Sequence, residues 1–266
     1  MKDWRSLSNY FSEYPDIIGD ALFSDVEFPW SPLAQLSHQI DLFFNGTTNS
    51  GELPAVKTII NNEDGTYREG SLFIQESNIL SSNFIDKDLK IFIGKGTHLE
   101  AGATIKNHSV INQDCEVRQG AYIRGNVFVG SNSVVGHATE IKNTIFIRHV
   151  EAGHFAYIGD SIVGSYVNLG AGTKVSNLQF RTLREKQESR FPEIPFFIEG
   201  KSLSTGISKF GAIIGDGVET GCNSVLSPFV LFEPECWVLP NVCVAKGIYK
   251  RSSIIRDFSD SKKKKR

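Results

Sequence analysis

A histidine, a glutamate and two basic side chains stand at spacings that suit a group-transfer reaction on a phosphorylated substrate. His154 occurs in the segment Gly153–Asp160, and histidine is the side chain best matched to proton transfer near neutral pH. Arg124 and Lys142 are eighteen residues apart, and an arginine fork beside a lysine ammonium suits a phosphate group. Glu140 precedes His154 by fourteen residues, and a carboxylate near a histidine orients the ring and favours its protonated form. These four residues are the candidate reaction centre.

The same residues also fit arrangements without chemistry. A histidine at a corner of the chain is more often structural than catalytic, and neighbouring basic side chains often form a solvated charged face. The elements that position these side chains must therefore decide between the two interpretations.

A six-residue repeat positions them. Every sixth residue from Ile93 onward is Leu, Ile or Val: Ile93, Leu99, Ile105, Ile111, Val117, Ile123, Val129, Val135, Ile141 and Ile147. The residues four places after the first nine of these are small or β-branched, which suits a crowded corner. This period fits neither an amphipathic helix nor an isolated strand, and it predicts a parallel β-helix shaped as a triangular prism. Three hexapeptides make a coil of about eighteen residues, so that Arg124 and Lys142 stack on one edge.

The repeat is interrupted twice. The next aliphatic position is Ile158, eleven residues after Ile147, which predicts a shortened corner at Glu151–His154 and brings Glu140 toward the histidine. The second interruption, residues 178–209, is an inserted loop of a length that is usually functional or packs on a neighbouring element, although a passive insertion is the alternative. The period then returns through Ile214, Thr220, Leu226, Phe232, Val238 and Val244.

The flanking segments define the predicted domains. Residues 1–70 carry helical spacing and a Ser31-Pro32 helix start, and we predict a helical arm and connection that covers the open end of the prism. Residues 71–256 form the β-helix, with irregular first coils over Gly70–Leu89. Residues 257–266 end in a run of lysines and are predicted to be a disordered basic tail. The fold class is therefore all-β, with an N-terminal helical arm.

Composition narrows the function classes. The chain has 266 residues and a net charge of -2, which favours neither nucleic acid nor an anionic membrane as a partner. Four cysteines include no C-x-x-C pair, so no metal site is predicted, and Cys115 falls on a corner position that suits a packed, reduced thiol. The sequence shows neither a signal peptide nor a run of about 18 apolar residues, so a cytoplasmic location is predicted.

Four segments carry a more specific resemblance than the repeat alone: Arg124–Gly125, His137–Asn143, Gly153–Asp160 and Val167–Thr173. They resemble the acetyltransferase half of the bacterial bifunctional glucosamine-1-phosphate acetyltransferase / N-acetylglucosamine-1-phosphate uridyltransferase family. The resemblance is close over residues 90–178 and loose over 210–256.

The resemblance implies a left-handed coil, a homotrimer and acetyl-CoA as co-substrate, bound at subunit contacts. It implies transfer of the acetyl group to the amine of an amino-sugar phosphate such as glucosamine-1-phosphate, a step of UDP-GlcNAc biosynthesis, without a metal. His154 resembles the general base, with Glu140 holding its ring, and Arg124 and Lys142 match phosphate or sugar contacts.

Further site residues follow from the same resemblance. Those that match the sugar pocket are Tyr157, Asn168 and Asn177. Those on the cofactor side are Ala171, Cys222 near the pantetheine arm, and Arg256 near the CoA phosphates. The backbone N–H groups of the corner Gly170–Gly172 are candidate oxyanion donors.

The chain also departs from the family. No glycine-rich nucleotide loop opens it, so the uridyltransferase half is missing from this sequence. A second sugar-contacting lysine is replaced by Gly211, with Lys209 as a substitute two residues away, and the inserted loop is longer than the family's. The acceptor could therefore be another sugar phosphate or a sugar nucleotide. A sugar O-acetyltransferase, a protein related to sugar-phosphate nucleotidyltransferases and a non-catalytic assembly module remain alternatives.

Overall fold

The computed structural model describes residues 4–15, 17–63, 67–198 and 200–256. Its helices are a 3-10 turn at Leu7–Asn9, α1 (Gly19–Phe23), α2 (Ser31–Phe44) and α3 (Leu183–Gln187). The strands before the inserted loop are β1 (Val56–Glu63), β2 (Tyr67–Ile74), β3 (Asn78–Ile79), β4 (Phe84–Asp86), β5 (Ile91–Ile93), β6 (His98–Leu99), β7 (Thr104–Lys106), β8 (Ser109–Ile111), β9 (Glu116–Val117), β10 (Tyr122–Ile123), β11 (Val127–Val129), β12 (Val134–His137), β13 (Glu140–Phe146), β14 (Glu151–His154), β15 (Tyr157–Val163), β16 (Asn168–Leu169) and β17 (Lys174–Val175). The later strands are β18 (Phe196–Ile198), β19 (Lys201–Leu203), β20 (Ala212–Ile214), β21 (Glu219–Thr220), β22 (Val225–Leu226), β23 (Val230–Phe232), β24 (Trp237–Val238), β25 (Cys243–Val244), β26 (Gly247–Tyr249) and β27 (Ile254–Ile255).

These strands form the predicted left-handed parallel β-helix with three faces. Face 1 consists of β7, β10, the start of β13, the start of β15, β17, β22 and β25. Face 2 consists of β5, β8, β11, the ends of β13 and β15, β20, β23 and β26. Face 3 consists of β6, β9, β12, β14, β16, β21, β24 and β27. The chain passes through the faces in the order 1, 2, 3.

The interior of the prism is the predicted aliphatic column, with one change of register. Ile123 pairs with Ile141 one coil later, at a distance of eighteen residues, but Val129 pairs with Phe146 at seventeen. The shortened corner is therefore Lys142–Asn143, and the prediction that it lies at Glu151–His154 is wrong. Phe146 fills the interior, and Ile147, predicted to point inward, belongs to a second hydrophobic cluster outside the prism.

Asparagine and aspartate at the corner between faces 1 and 2 accommodate the shortened turn. Asn126, Asn143 and Asp160 stack there in successive coils with φ values of 51°, 47° and 50°. This left-handed backbone region is open to Asn and Asp more than to other non-glycine residues. The corner is thus a row of amide and carboxylate side chains.

The first coils differ from the prediction because the chain reverses direction there. Strands β2, β3 and β4 pair antiparallel with β7, β6 and β5. β1 and β2 pair antiparallel over eight residues each. The strand edges at this end of the prism are therefore paired by reversed strands, and the residues predicted to form irregular first coils lie in this reversed layer.

The N-terminal helices lie on the side of the prism and do not cover its open end, so that prediction is wrong. The outward side chains of face 2 are apolar: Phe92, Val110, Phe128, Ile145, Ile162, Ile213 and Leu231. They pack with Leu36, Ile40 and Phe44 of α2, all buried, and with Phe196 of the inserted loop. Face 2 is buried on both sides, so its strands read as continuous apolar runs. Helix α2 begins at Ser31, in accordance with the predicted Ser31-Pro32 start, and ends at Phe44.

Polar contacts attach the arm to the prism. The Asp216 carboxylate accepts hydrogen bonds from the Ser12 N–H and hydroxyl, both at 2.7 Å, and from the Ser165 N–H at 2.8 Å. On α2, Asp41 contacts Lys90 at 2.5 Å and His108 at 2.9 Å. The arm is thus joined to several coils.

The described residues also bear on membrane spans, metal-binding groups and the state of Cys115. Within the described residues, no helix has the length and apolarity needed to cross a bilayer, and no group of metal-binding side chains occurs. Cys115 is a free, buried cysteine, and burial raises the pKa of its thiol to about 12. The predicted basic tail, 257–266, lies outside the described residues.

Candidate functional site

Arg124 and Lys142 meet in a polar hollow at the corner between faces 1 and 2. The hollow has a volume of about 420 Å³ and is lined by both side chains, together with Ser37 of α2. The two residues follow Ile123 and Ile141, which pair in register, so they stack one coil apart as predicted. We call this feature the cationic hollow.

The two cations differ in their partners. Arg124 Nη1 donates to Glu140 Oε1 at 2.7 Å, and this hydrogen bond raises the pKa of the guanidinium. Lys142 is partly buried, and its ammonium has no hydrogen-bond or ion-pair partner within the described part of the chain. An ammonium without a protein acceptor favours an anionic ligand.

Glu140 therefore has a different partner from the one predicted. Its carboxylate accepts from Arg124, and no hydrogen bond joins it to His154 among the described residues. The reason is register: Glu140 begins β13 on face 1, whereas His154 ends β14 on face 3 of the next coil. Its role in orienting the histidine stays a prediction.

A second group of predicted residues borders the hollow. Asp160 is buried, and its carboxylate accepts from the side-chain amide of Asn143 at 2.6 Å and from that of Asn177. The Tyr157 hydroxyl and the Asn177 amide both lie over Gly159: a Cβ placed at this glycine would stand 2.7 Å and 2.8 Å from them. Tyr157 and Asn177 are thus brought together as predicted for one pocket.

Tyr157 has the electrostatics of a neutral hydrogen-bonding group. Burial raises the pKa of its hydroxyl, and the nearby Asp160 and Glu140 carboxylates raise it further. The hydroxyl therefore keeps its proton at neutral pH and can donate to a ligand oxygen.

His154 lies in a separate groove at the corner between faces 3 and 1. This histidine groove has a volume of about 320 Å³ and is also lined by Asn168, Ala171 and Glu151. His154 is exposed, and its ring makes no hydrogen bond within the described residues. Asn168 thus joins the histidine and not the Tyr157–Asn177 pair, because it lies on β16 of face 3.

The cofactor-side residues form a column on the same edge. Register pairs His137 with His154, and Leu169 with Thr220, which places Ala171 beside Cys222 one coil on. Val238 pairs with Ile255, so Arg256 follows at the far end of this edge. Residues far apart in sequence thus line one edge, since the inserted loop leaves the coil register unchanged.

Only one of the glycine-flanked N–H groups is available as an oxyanion donor. The Gly170 N–H donates to Thr220 O at 2.9 Å and the Gly172 N–H to His154 O at 2.9 Å. The Ala171 N–H has no backbone acceptor among the described residues. The candidate donor is therefore Ala171, and the two glycine N–H groups hold the corner together.

Three site residues were missed from the sequence. Gly159 holds the space under Tyr157, Asp160 fixes two amides, and Glu151 is a carboxylate in the histidine groove. Asp160 could have been found, because it lies two residues from Ile158 and two from Ile162, and a carboxylate within such a buried segment must be hydrogen-bonded.

The coiled region of this chain is similar to a known family domain and to several bifunctional proteins. The family domain described as the GMPPB C-terminal domain matches residues 105–221. A bifunctional sugar-1-phosphate nucleotidylyltransferase/acetyltransferase of Sulfurisphaera tokodaii is 29% identical over 64% of this chain and 45% of its own length. The bifunctional protein GlmU of Methanococcus vannielii is 34% identical over 51% of this chain and 30% of its own. That of Trichormus variabilis is 24% identical over 73% and 36%.

The chain therefore spans less than half the length of these curated relatives. The match confirms the resemblance stated from the sequence. Over its coils, the chain is similar to the C-terminal, acetyltransferase part of these bifunctional proteins.

Proposed function

We propose that this protein transfers an acetyl group from acetyl-CoA to the amine of an amino-sugar phosphate such as glucosamine-1-phosphate. The observation that carries the proposal is the pairing of two sites across face 1. A cation-lined hollow stands at one corner, and at the next stands a histidine beside the Ala171 N–H, which has no backbone acceptor among the described residues. The name of the Sulfurisphaera tokodaii relative includes acetyltransferase, which supports the donor chemistry.

The width of face 1 suits a substrate that bridges the two corners. Its strands are short, as in Tyr122–Ile123, and two to three residues span about 7–10 Å. We assign the substrate phosphate to Arg124 and Lys142, and the sugar to Tyr157 and Asn177. The amine then points to the corner of His154. Holding the amine and the acetyl donor together lowers the entropic part of the barrier.

His154 acts as the general base in this proposal. Acetyl-CoA is a substrate, and its thioester supplies the acetyl group. The imidazole accepts the proton that the attacking amine loses and returns it to the departing thiolate, so the proton count balances. Such proton transfer contributes about 10²–10⁴-fold to the rate. The Ala171 N–H donates to the carbonyl oxygen as negative charge develops on it.

The donor fits the column that begins at His154. The exposed side chain of Cys222 borders the column, and the Arg256 guanidinium at its far end makes no ion pair with another described residue. A free guanidinium suits the phosphates of CoA. His154, Ala171, Cys222 and Arg256 thus offer one continuous surface for the donor.

We also propose a homotrimer whose subunit contacts complete the site. Phe155 follows His154 and is 54% exposed, so its ring is accessible to a neighbouring subunit. A neighbouring subunit that covers this ring would also close the histidine groove. Light scattering tests the proposal: the wild type elutes as a trimer and Phe155→Glu as a smaller species, whereas a monomeric wild type contradicts it. The predicted cytoplasmic location stays a prediction.

The function is tested by thiol release from acetyl-CoA with three matched co-substrates. Glucosamine-1-phosphate offers an amine, glucose-1-phosphate offers only hydroxyls, and UTP with N-acetylglucosamine-1-phosphate tests nucleotidyl transfer by diphosphate release. We expect release with the amine alone. Release with the hydroxyl acceptor would assign O-acetylation, and diphosphate release would assign nucleotidyl transfer. Failure to bind CoA in calorimetry would favour an assembly module.

A further inference from the structure

The arm and the inserted loop build a second pocket next to the cationic hollow. This pocket has a volume of about 380 Å³. Its apolar walls come from Phe28, Trp30 and Leu33 at the start of α2, and from Phe210 where the inserted loop rejoins the prism. We call it the aromatic pocket. Its volume lies within the range of about 300–1,000 Å³ that small-molecule sites occupy.

The aromatic pocket and the cationic hollow adjoin. Asn143, at the shortened corner, lines both of them. Helix α2 runs past both, with Ala34 in the aromatic pocket and Ser37 in the hollow. Three residues along a helix cover about 4.5 Å. A group attached to an anion in the hollow therefore has a short path into the aromatic pocket.

The charges around this pair of sites favour a ligand that is anionic at one end and apolar at the other. Lys142 stands in the hollow without an acceptor among the described residues, whereas the Lys209 ammonium at the aromatic pocket lies over the Phe191 ring, 4.8 Å from its centroid. The acidic side chain in the hollow, Asp160, is occupied by the amides of Asn143 and Asn177. Trp30 and Phe210 are already buried, so the partly exposed Phe28 is the aromatic wall that gains apolar contact from a planar ligand group.

We infer that the ligand carries a planar ring attached to its phosphate. The ring lies in the aromatic pocket, and the phosphate lies between Arg124 and Lys142. The inference rests on the proposed function, and it specifies the acceptor as an amino sugar linked through phosphate to a ring, as in a nucleotide sugar. The bare amino-sugar phosphate fills only the hollow.

Calorimetry with three phosphates tests the pocket without any catalytic step. Methyl phosphate supplies the anion alone, phenyl phosphate adds a ring, and UMP adds a nucleoside. We expect phenyl phosphate or UMP to bind at least about tenfold more tightly than methyl phosphate, since a ring buries substantial apolar area. A preference for UMP over phenyl phosphate assigns a nucleotide, and the reverse assigns a simple aryl group. Equal affinity for all three overturns the inference.

A matched pair of variants locates the effect. Ala34→Trp places an indole in the aromatic pocket, and His38→Trp places one on the exposed face of α2 outside both sites. We expect the ratio of the affinity for phenyl phosphate or UMP to that for methyl phosphate to fall toward one in Ala34→Trp. The same ratio should stay at the wild-type value in His38→Trp. Unchanged thermal unfolding shows that both variants are folded. A ratio retained in Ala34→Trp overturns the assignment of the ring to this pocket.

Acetyl transfer to glucosamine-1-phosphate and to UDP-glucosamine separates the two levels of the proposal. Transfer to both acceptors at equal kcat/KM supports the proposed function and overturns the inference that the acceptor carries a ring. Tight binding of the ring-bearing phosphates without transfer to either amine removes the proposed function and leaves the pocket. A higher kcat/KM for UDP-glucosamine supports both.

Discussion

Gly159 controls the two side chains that we assign to the sugar, and Gly159→Ala tests that assignment. A Cβ at this position lies 2.7 Å from the Tyr157 hydroxyl and 2.8 Å from the Asn177 amide. Each group must move by about 0.6–0.7 Å to reach the 3.4 Å of an ordinary contact. Gly159 is not among the residues with positive φ, so alanine suits the backbone.

The expected loss is in activity more than in stability. A misplacement of about 1 Å in a positioning group can cost about 10²-fold in rate, so we expect kcat/KM to fall about 10–100-fold. The free energy of unfolding should change by less than about 1 kcal/mol. The displaced atoms are the ends of side chains, and alanine restricts the unfolded chain, which offsets about 0.4–1 kcal/mol.

Initial rates with the amino-sugar phosphate, together with urea unfolding, measure both quantities. Tyr157→Phe removes the hydroxyl that the new Cβ meets. The double variant should therefore lose less than the product of the two single losses. Wild-type kcat/KM in folded Gly159→Ala would refute the assignment of Tyr157 and Asn177 to the substrate.

Three further predictions concern the elements that position the site. Phe146→Ala should cost about 3–5 kcal/mol in denaturant unfolding, because the ring is fully buried in the prism; a loss below about 1 kcal/mol would contradict the register change. Asp216→Ala removes the hydrogen bonds that hold the arm and should cost about 1–3 kcal/mol and speed proteolysis of the arm, whereas Ser12→Ala, which keeps its N–H bond, should cost less; equal losses would contradict this. Burial would raise the pKa of Asp41, but hydrogen bonds from Lys90 and His108 lower it overall. The ionised Asp41 therefore adds to the free energy of unfolding above about pH 4, and this contribution is lost as the pH falls through the folded-state pKa. In acid unfolding curves, Asp41→Asn should reduce the dependence of stability on pH in this range. The same pH dependence in Asp41→Asn and the wild type would argue against this role.

The β-helix could be predicted because one face of every strand points into a shared interior. The six-residue spacing therefore records the prism up to Ile141 directly. The register change after it was hidden because Ile147, one residue beyond the true interior residue Phe146, is also apolar. When both sides of a strand are buried, an aliphatic residue at the expected position does not show whether its side chain points into the prism or out of it.

The position of the arm had a sequence signal that the repeat obscured. The middle residues of the face 2 strands, such as Phe92 and Phe128, point outward and are apolar, which indicates a covered face. The candidate site was predicted in part for a similar reason. Stacking of Arg124 on Lys142 follows from coil length, but the partner of Glu140 depends on which corner each residue occupies.

The central claim is that His154 is the base of an acetyl transfer, and steady-state kinetics of His154→Ala test it most directly. We predict that kcat falls by about 10²–10⁴-fold, with the affinity for CoA in calorimetry and the thermal unfolding unchanged. A His154→Ala protein that releases thiol from acetyl-CoA at the wild-type rate, in the presence of the amine acceptor, would contradict the account.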